Sequence, residues 1–230
     1  MRVLIIILCM LAMESVHSQI HEIGGFLGGS NFIGDVGSSK YIAPNSFAIG
    51  GLYKWNRSAR HAWRASVMFT QLKGFDHKSD DPRRQERGYK FTNNLTEASI
   101  GMEFNFFDFD QHTGKSLATP YVYSGLSVAR YDNYYFNSQG EQTSENTSSL
   151  AYGIPMIVGF KTKFMEHLIL GVEIGARYTF SDEIDGSVPD AKIKQSAYSF
   201  GNTNNNDWYV FTGFTLTYSF GRNPCYCVYE

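Results

Sequence analysis

The sequence predicts an all-β chain: an eight-stranded antiparallel up-and-down transmembrane β-barrel, with a ten-stranded barrel as the alternative. Three observations predict it. Apolar residues recur at every second position in segments of about ten residues, the pattern of a strand with one greasy face. The connections between these segments alternate between long and short. Aromatic residues make up 16% of the chain, mostly Tyr and Phe, while charged residues make up 18%, below the usual quarter.

The segment before the first strand is a separate object. Arg2 and the apolar run from Val3 to Met13 read as a signal peptide, with cleavage expected between Ser18 and Gln19. The run is too short to cross a bilayer as a helix. Leu8 precedes Cys9 where a lipoprotein needs a small residue, so Cys9 reads as part of the apolar run. The expected organisation is residues 1–18 as signal peptide, 19–221 as outer-membrane barrel and 222–230 as a short periplasmic tail. Loss of Arg2 and Glu14 leaves the formal net charge at -2, which gives no general attraction to nucleic acid. No second apolar run has the length of a spanning helix, which excludes a multi-span helical membrane protein.

The strands follow in order. Residues 20–30 are Gly-rich and alternate weakly, whereas 46–55 place Phe47, Ile49, Tyr53 and Trp55 on one face. Residues 62–73 alternate less cleanly. Residues 95–107 put Ile100, Met102, Phe104 and Phe106 outward, with Glu97, Ser99, Gly101, Glu103 and Asn105 inward. Residues 119–131 are again weaker, and 150–162 alternate Leu150, Tyr152, Ile154, Met156, Val158 and Phe160. Residues 168–180 are clearest: Leu168, Leu170, Val172, Ile174, Ala176, Tyr178 and Phe180 oppose Gly171, Glu173, Gly175, Arg177 and Thr179. Residues 207–220 place Trp208, Val210, Phe214, Leu216, Tyr218 and Phe220 outward. The greasy face is expected against lipid and the polar face in the lumen.

The connections 31–45, 75–94, 132–149 and 181–206 read as long and polar; 56–61, 108–118 and 163–167 read as short. Long outer loops and short periplasmic turns are the pattern of an outer-membrane barrel, and an even strand number places both termini in the periplasm. A hairpin hidden in 181–206 would give the ten-stranded alternative. Aromatic residues at both strand ends, such as Tyr53, Trp63 and Tyr218 below and Phe47, Tyr178 and Trp208 above, are expected to form two girdles at headgroup level.

The inward register gathers charge. Arg64, Glu97, Glu103, Lys161, Glu173 and Arg177 are expected to face the lumen, where a barrel of this size is just filled by side chains. They should pair and plug it, because an unpaired buried charge is very costly; an ion pathway is the alternative. No histidine stands beside a Ser and an acid in a nucleophile arrangement. Asp108-x-Asp110-x-His112-x-Gly114 lacks the remainder of a calcium loop. Gly24, Gly25, Gly28 and Gly29 have no lysine or helix after them to make a phosphate loop. The expectation is therefore no enzyme, with no catalytic, cofactor or metal residues. Cys225 and Cys227 would lie past the last strand in an oxidising compartment. An internal bridge between them would be strained, leaving a bridge to a partner, a lipid or metal role, or free thiols open. The turns carry Arg57, Arg60, His61, His112, Lys115, Lys163, His167 and Arg222, diluted by Asp108, Asp110 and Glu166. That somewhat basic rim is a candidate docking surface.

Several stretches resemble one family. They are GGSNFIGDVG (28–37), IAPN (42–45), LYKWNRSARH (52–61), RGYKF (87–91), EFNFFDFD (103–110), YVYSGL (121–126), ILGVEIGARYTFSD (169–182) and NDWYVFTGFTLTYSFGRNPCYC (206–227). Together they are similar to the PorG-like outer-membrane barrels of the Bacteroidetes type IX secretion system, which supports gliding in motile members. The resemblance implies a non-enzymatic part that anchors a periplasmic ring built of a PorK-like lipoprotein and a PorN-like soluble protein. Its implied contact surface is Lys54, Asn56, Arg57, Arg60, His61, Asp108, Asp110, His112, Lys163, His167, Arg222, Cys225 and Cys227. The implied surroundings are outer-membrane lipid, with no nucleic acid and no small-molecule substrate. The alternative is a general small outer-membrane barrel, either a solute pore or a structural protein like OmpA or OmpW.

Overall fold

Period-two alternation puts side chains on opposite faces of a strand, and eight such strands, each paired to the next, close on themselves. The computed structural model describes residues 20–111, 117–202 and 205–221. The strands are β1 (Ile20–Ile33), β2 (Ser46–Asn56), β3 (His61–Phe75), β4 (Lys90–Asn105), β5 (Ala118–Phe136), β6 (Gln142–Lys163), β7 (Leu168–Thr179) and β8 (Trp208–Phe220). Every neighbouring pair is antiparallel, and β1 pairs with β8 from His21↔Phe220 to Ile33↔Trp208, which closes the barrel. Among the described residues 180–207 add no strand: they carry one short helix, α2 (Lys192–Tyr198), so the ten-stranded alternative is set aside. Another short helix, α1 (Pro82–Arg87), lies between β3 and β4; it starts where Asp81 accepts from the Arg83 amide and stops at Gly88 in the left-handed region. The expected signal peptide (1–18) and tail (222–230) lie outside the described residues.

An apolar belt surrounds the cylinder. One residue from each strand in turn, Leu27, Ile49, Phe69, Ile100, Leu126, Val158, Val172 and Leu216, is between 43% and 68% exposed. A continuous apolar band of this extent is foreign to water-facing surfaces and fits hydrocarbon. Val210, expected in this belt, is instead buried between its neighbours Asn31 and Ala176.

The structure corrects two boundaries. Residues 132–149 are not a long loop: β5 runs to Phe136, β6 starts at Gln142, and only a tight turn joins them. Likewise β4 begins at Lys90, five residues before the expected 95. The physical reason is an inverted pattern. In this half the inward side chains are mostly apolar (Phe91, Leu95, Tyr131, Phe136, with Asn93 between the first two) and the outward ones polar (Lys90, Thr92, Asn94, Asp132). The strands continue past the lipid into water, where a polar outer face and a greasy inner one are what burial favours.

Candidate functional site

The lower and middle lumen, towards the end that carries residues 20 and 220, is a closed ionic network. Inward positions of β2, β3, β4, β6 and β7 bring Lys54, Arg64, Glu103, Lys161 and Glu173 together. Glu103 receives Lys54 at 2.8 Å and Lys161 at 2.5 Å. Arg64 grips Glu173 with both terminal nitrogens, at 2.7 and 2.9 Å, a fork geometry that only a guanidinium offers. Tyr121 donates its hydroxyl to the same carboxylate at 2.7 Å. One layer up, Arg177 pairs with Glu97, which also accepts from the Tyr209 hydroxyl at 2.6 Å. Below, Glu22 accepts from Asn56, Gln111 and Thr217. Four cations (Lys54, Arg64, Lys161, Arg177) thus face four carboxylates (Glu22, Glu97, Glu103, Glu173), none more than 3% exposed. Charge is balanced and all eight groups are buried against one another, the opposite of what an ion pathway needs. All six sequence-expected lumen residues are in this network.

The same register corrects the rim. Lys54 was expected on the docking surface but is 2% exposed inside the barrel. Ala48, Leu52 and Lys54 share the inward face of β2, so the lysine follows its strand and not the turn. Asn56 turns the same way, onto Glu22. Lys163 is half-buried, its ammonium on the Gln111 carbonyl at 3.0 Å. The first part of the β4–β5 connection, residues 106–111, expected as a simple turn, folds over the mouth. Phe109 is buried with the Lys161 ammonium 4.8 Å from its ring, and its amide donates to the Ala59 carbonyl. Gln111 reaches Glu22 across the opening. Arg57, Arg60, His61, Asp108 and His167 are exposed as expected, but Arg60 is paired with Asp108, Arg57 lies against Trp55, and His61 packs on Phe104. Asp110 is half-buried. His112, Arg222, Cys225 and Cys227 lie outside the described residues. Beside the charged groups, Phe106, Phe107, Phe164 and Met165 stand 48% to 62% exposed. The sequence reading missed Glu22, Tyr121, Tyr209, Phe109 and Gln111. Glu22 was legible, since it alternates with the lipid-facing Ile23; Phe109 and Gln111 had no periodic signal.

The opposite mouth is closed by aromatic packing and by carboxylates. Phe32, Phe91, Tyr131, Tyr134, Phe136 and Tyr209 form one buried cluster with Ile184 from the β7–β8 loop. Above it, Asp76 ties three segments by accepting from the Gly37 and Tyr89 amides and from Arg87. Asp185 accepts from the amides of Asp35, Val36 and Ser187, so it joins the β1–β2 and β7–β8 loops. Asp207 holds the Ile184 amide at 2.9 Å while its other oxygen is buried with no partner. Burial, with Asp185, Asp35 and Glu183 nearby, pushes the Asp182 carboxyl up to about 7. Burial, reinforced by Asp185 and Asp182, holds Asp207 well above the ordinary range, and burial raises Asp185 too. Among the described residues no group of three His, Cys, Asp or Glu is placed to hold a metal ion. The Ser58–His61 contact, 3.3 Å, sits in an exposed turn that it helps to close.

A family model described as a domain of unknown function (DUF6089) matches residues 1–229. No curated protein matches the chain. Among solved structures, a major outer-membrane protein of Thermus thermophilus is similar at 12% identity and TM-score 0.49, over 89% of this chain and 100% of that one. The attachment invasion locus protein Ail of Yersinia pestis is similar at 9% identity and TM-score 0.45, over 89% and 99%. Neisserial surface protein A is similar at 11% identity and TM-score 0.45, over 87% and 96%.

Proposed function

The chain belongs to the family described as a domain of unknown function, DUF6089, and from that premise we propose that it is a non-enzymatic outer-membrane anchor whose periplasmic end docks a protein assembly. Following the PorG-like resemblance, that assembly is the PorK- and PorN-type ring of a type IX secretion system, and both termini face it. One observation carries the reading: the turn end presents Phe107, Phe164 and Met165 exposed at the same end of the barrel as Arg57, Arg60, His61 and His167. Phe164 and Met165 form the start of a tight turn closed by Leu168, beyond the end of β6. Exposed aromatics together with arginine are the composition of a protein interface. The filled, charge-balanced lumen argues against the solute-pore alternative.

The experiment is recovery of PorK- and PorN-like proteins with the tagged, membrane-extracted barrel. Phe164→Ser with Met165→Ser should lower recovery by about tenfold or more, equivalent to roughly 1.4 kcal/mol. Arg57→Glu with Arg60→Glu should lower it less, since Arg60 already has Asp108. Undiminished recovery by both variants, with the barrel still folded, would sink the docking surface.

A further inference from the structure

We propose that a cleft at the loop end of the barrel binds a neutral hexose-type sugar unit. The cleft is about 390 Å³, open on one side, and lies between the β1–β2 and β7–β8 loops beside α1. That volume is at the small end of ligand sites and suits one or two pyranose rings.

Its walls are of two kinds. Tyr41, Tyr178 and Trp208 supply aromatic faces; Asp35, Arg84, Asn205 and Asn206 supply polar groups. A pyranose has the same two sides, a patch of C–H bonds and a rim of hydroxyls that both donate and accept. Rings stack on the first through their negative faces. Amides, which donate and accept from one planar group, fit the second, as do a carboxylate and a guanidinium. A lipid tail would not need the polar wall, and a polyanion would meet Asp35.

The walls are fixed beforehand. Tyr178 and Trp208 are cross-strand partners of β7 and β8, with ring centres 4.9 Å apart. The Asn206 amide donates to the Tyr178 hydroxyl at 2.6 Å, so amide and ring are oriented together. Arg84 is held by the Gly34 and Gly37 carbonyls at 2.9 and 3.0 Å, and Asp35 accepts from the Asn202 amide. A site already in shape loses less entropy on binding. A girdle of Tyr and Trp at headgroup level explains rings facing lipid. It does not explain half-buried rings that share a cleft with Asp35, Arg84 and two asparagines.

That this mouth faces outside the cell rests on the reading above; the cleft chemistry does not. Two sources present such a sugar there: the saccharide part of an outer-leaflet glycolipid, or a free neutral polysaccharide. The test uses the purified full-length barrel in a detergent without a sugar headgroup. Saturation-transfer NMR is recorded with three probes: a neutral outer-core oligosaccharide of lipopolysaccharide freed of its phosphates and acidic sugars, maltoheptaose, and lipid A. Ring-proton signals are expected from at least one of the two saccharides, weakened about fivefold or more in Tyr41→Ala and in Asn206→Ala. A variant-sensitive signal from the core oligosaccharide assigns the glycolipid source; one from maltoheptaose alone assigns the free polysaccharide. Tyr41 is an exposed loop residue, so its variant folds. No saccharide signal, a signal indifferent to both variants, or an equally variant-sensitive signal from lipid A overturns the proposal. None of these outcomes touches ring docking at the other end.

Discussion

Glu103 is the residue on which the lumen depends most. It accepts from Lys54 and Lys161, and Arg64 lies 3.7 Å away. Glu103→Gln leaves two buried ammonium groups without their anion, which should lower stability by about 3–5 kcal/mol. Urea unfolding of the refolded barrel reads this as a large drop in midpoint. Adding Lys54→Met should recover part of the loss, because it removes one stranded charge; no recovery would mean that Glu103 acts by packing and not by pairing. This network was largely legible in the sequence, because inward charge is forced by parity once the lipid-facing residues of a strand are known. Lys54 shows the limit. Phe47, Ile49, Tyr53 and Trp55 already set the outward face of β2, so position 54 had to point inward; its closeness to a turn was the weaker signal. Glu173 and Arg64 are far apart in the chain, and only barrel closure brings their forks together.

Strand pairs carry the next level. Gly101 and Gly125 face each other across β4 and β5, and the two backbones approach closely. A Cβ on Gly125 would stand 2.1 Å from the Ile100 carbonyl oxygen and 2.5 Å from the Gly101 Cα. Backbone cannot step aside as a flexible side chain can. Gly125→Ala should therefore cost about 1–3 kcal/mol as overpacking and lower the yield of folded, heat-modifiable barrel on gels. Gly51→Ala is the control, since its Cβ would meet only the Gly24 oxygen at 4.0 Å. An equal effect from both would show that generic strand glycines, and not this contact, set the outcome. At this scale the sequence yielded the membrane half of each strand. It hid the water-facing half of β4, β5 and β6, because there the greasy side chains turn inward and the same alternation reads as polar loop. The fold of the β4–β5 connection over the mouth was hidden too: Phe109 is positioned by Ala59 and Lys161, partners remote in the chain.

Across the whole molecule the two mouths are closed by different physics, and the difference predicts a pH dependence. The turn end is sealed by paired charges, whereas at the other end the β7–β8 loop is held by carboxyls that have more acid than base around them. Asp182, Asp185 and Asp207 all have raised folded values, Asp182 at about 7. A docked loop therefore keeps protons that an undocked loop releases. Its stabilisation is complete below the ordinary aspartate range near 3.8 and declines as pH rises through about 7 for Asp182, and beyond 3.8 for the other two in the same direction. Hydrogen exchange of the β7–β8 loop amides, corrected for intrinsic rates, should show weaker protection at pH 8 than at pH 5. Asp207→Asn separates this from any general effect of alkali. The amide oxygen can still accept from Ile184, while the second position, now an unpartnered oxygen, becomes a neutral donor. At pH 8 the variant should protect the loop by about 1–3 kcal/mol more than the native chain, as expected for removing an uncompensated buried charge. At pH 4 the two should converge, because a proton then does for Asp207 what the amide does for the variant. Weaker protection in Asp207→Asn at both pH values would show that the ionised carboxylate is what holds the loop, and the mouth would have to be sealed by a cation instead of a proton.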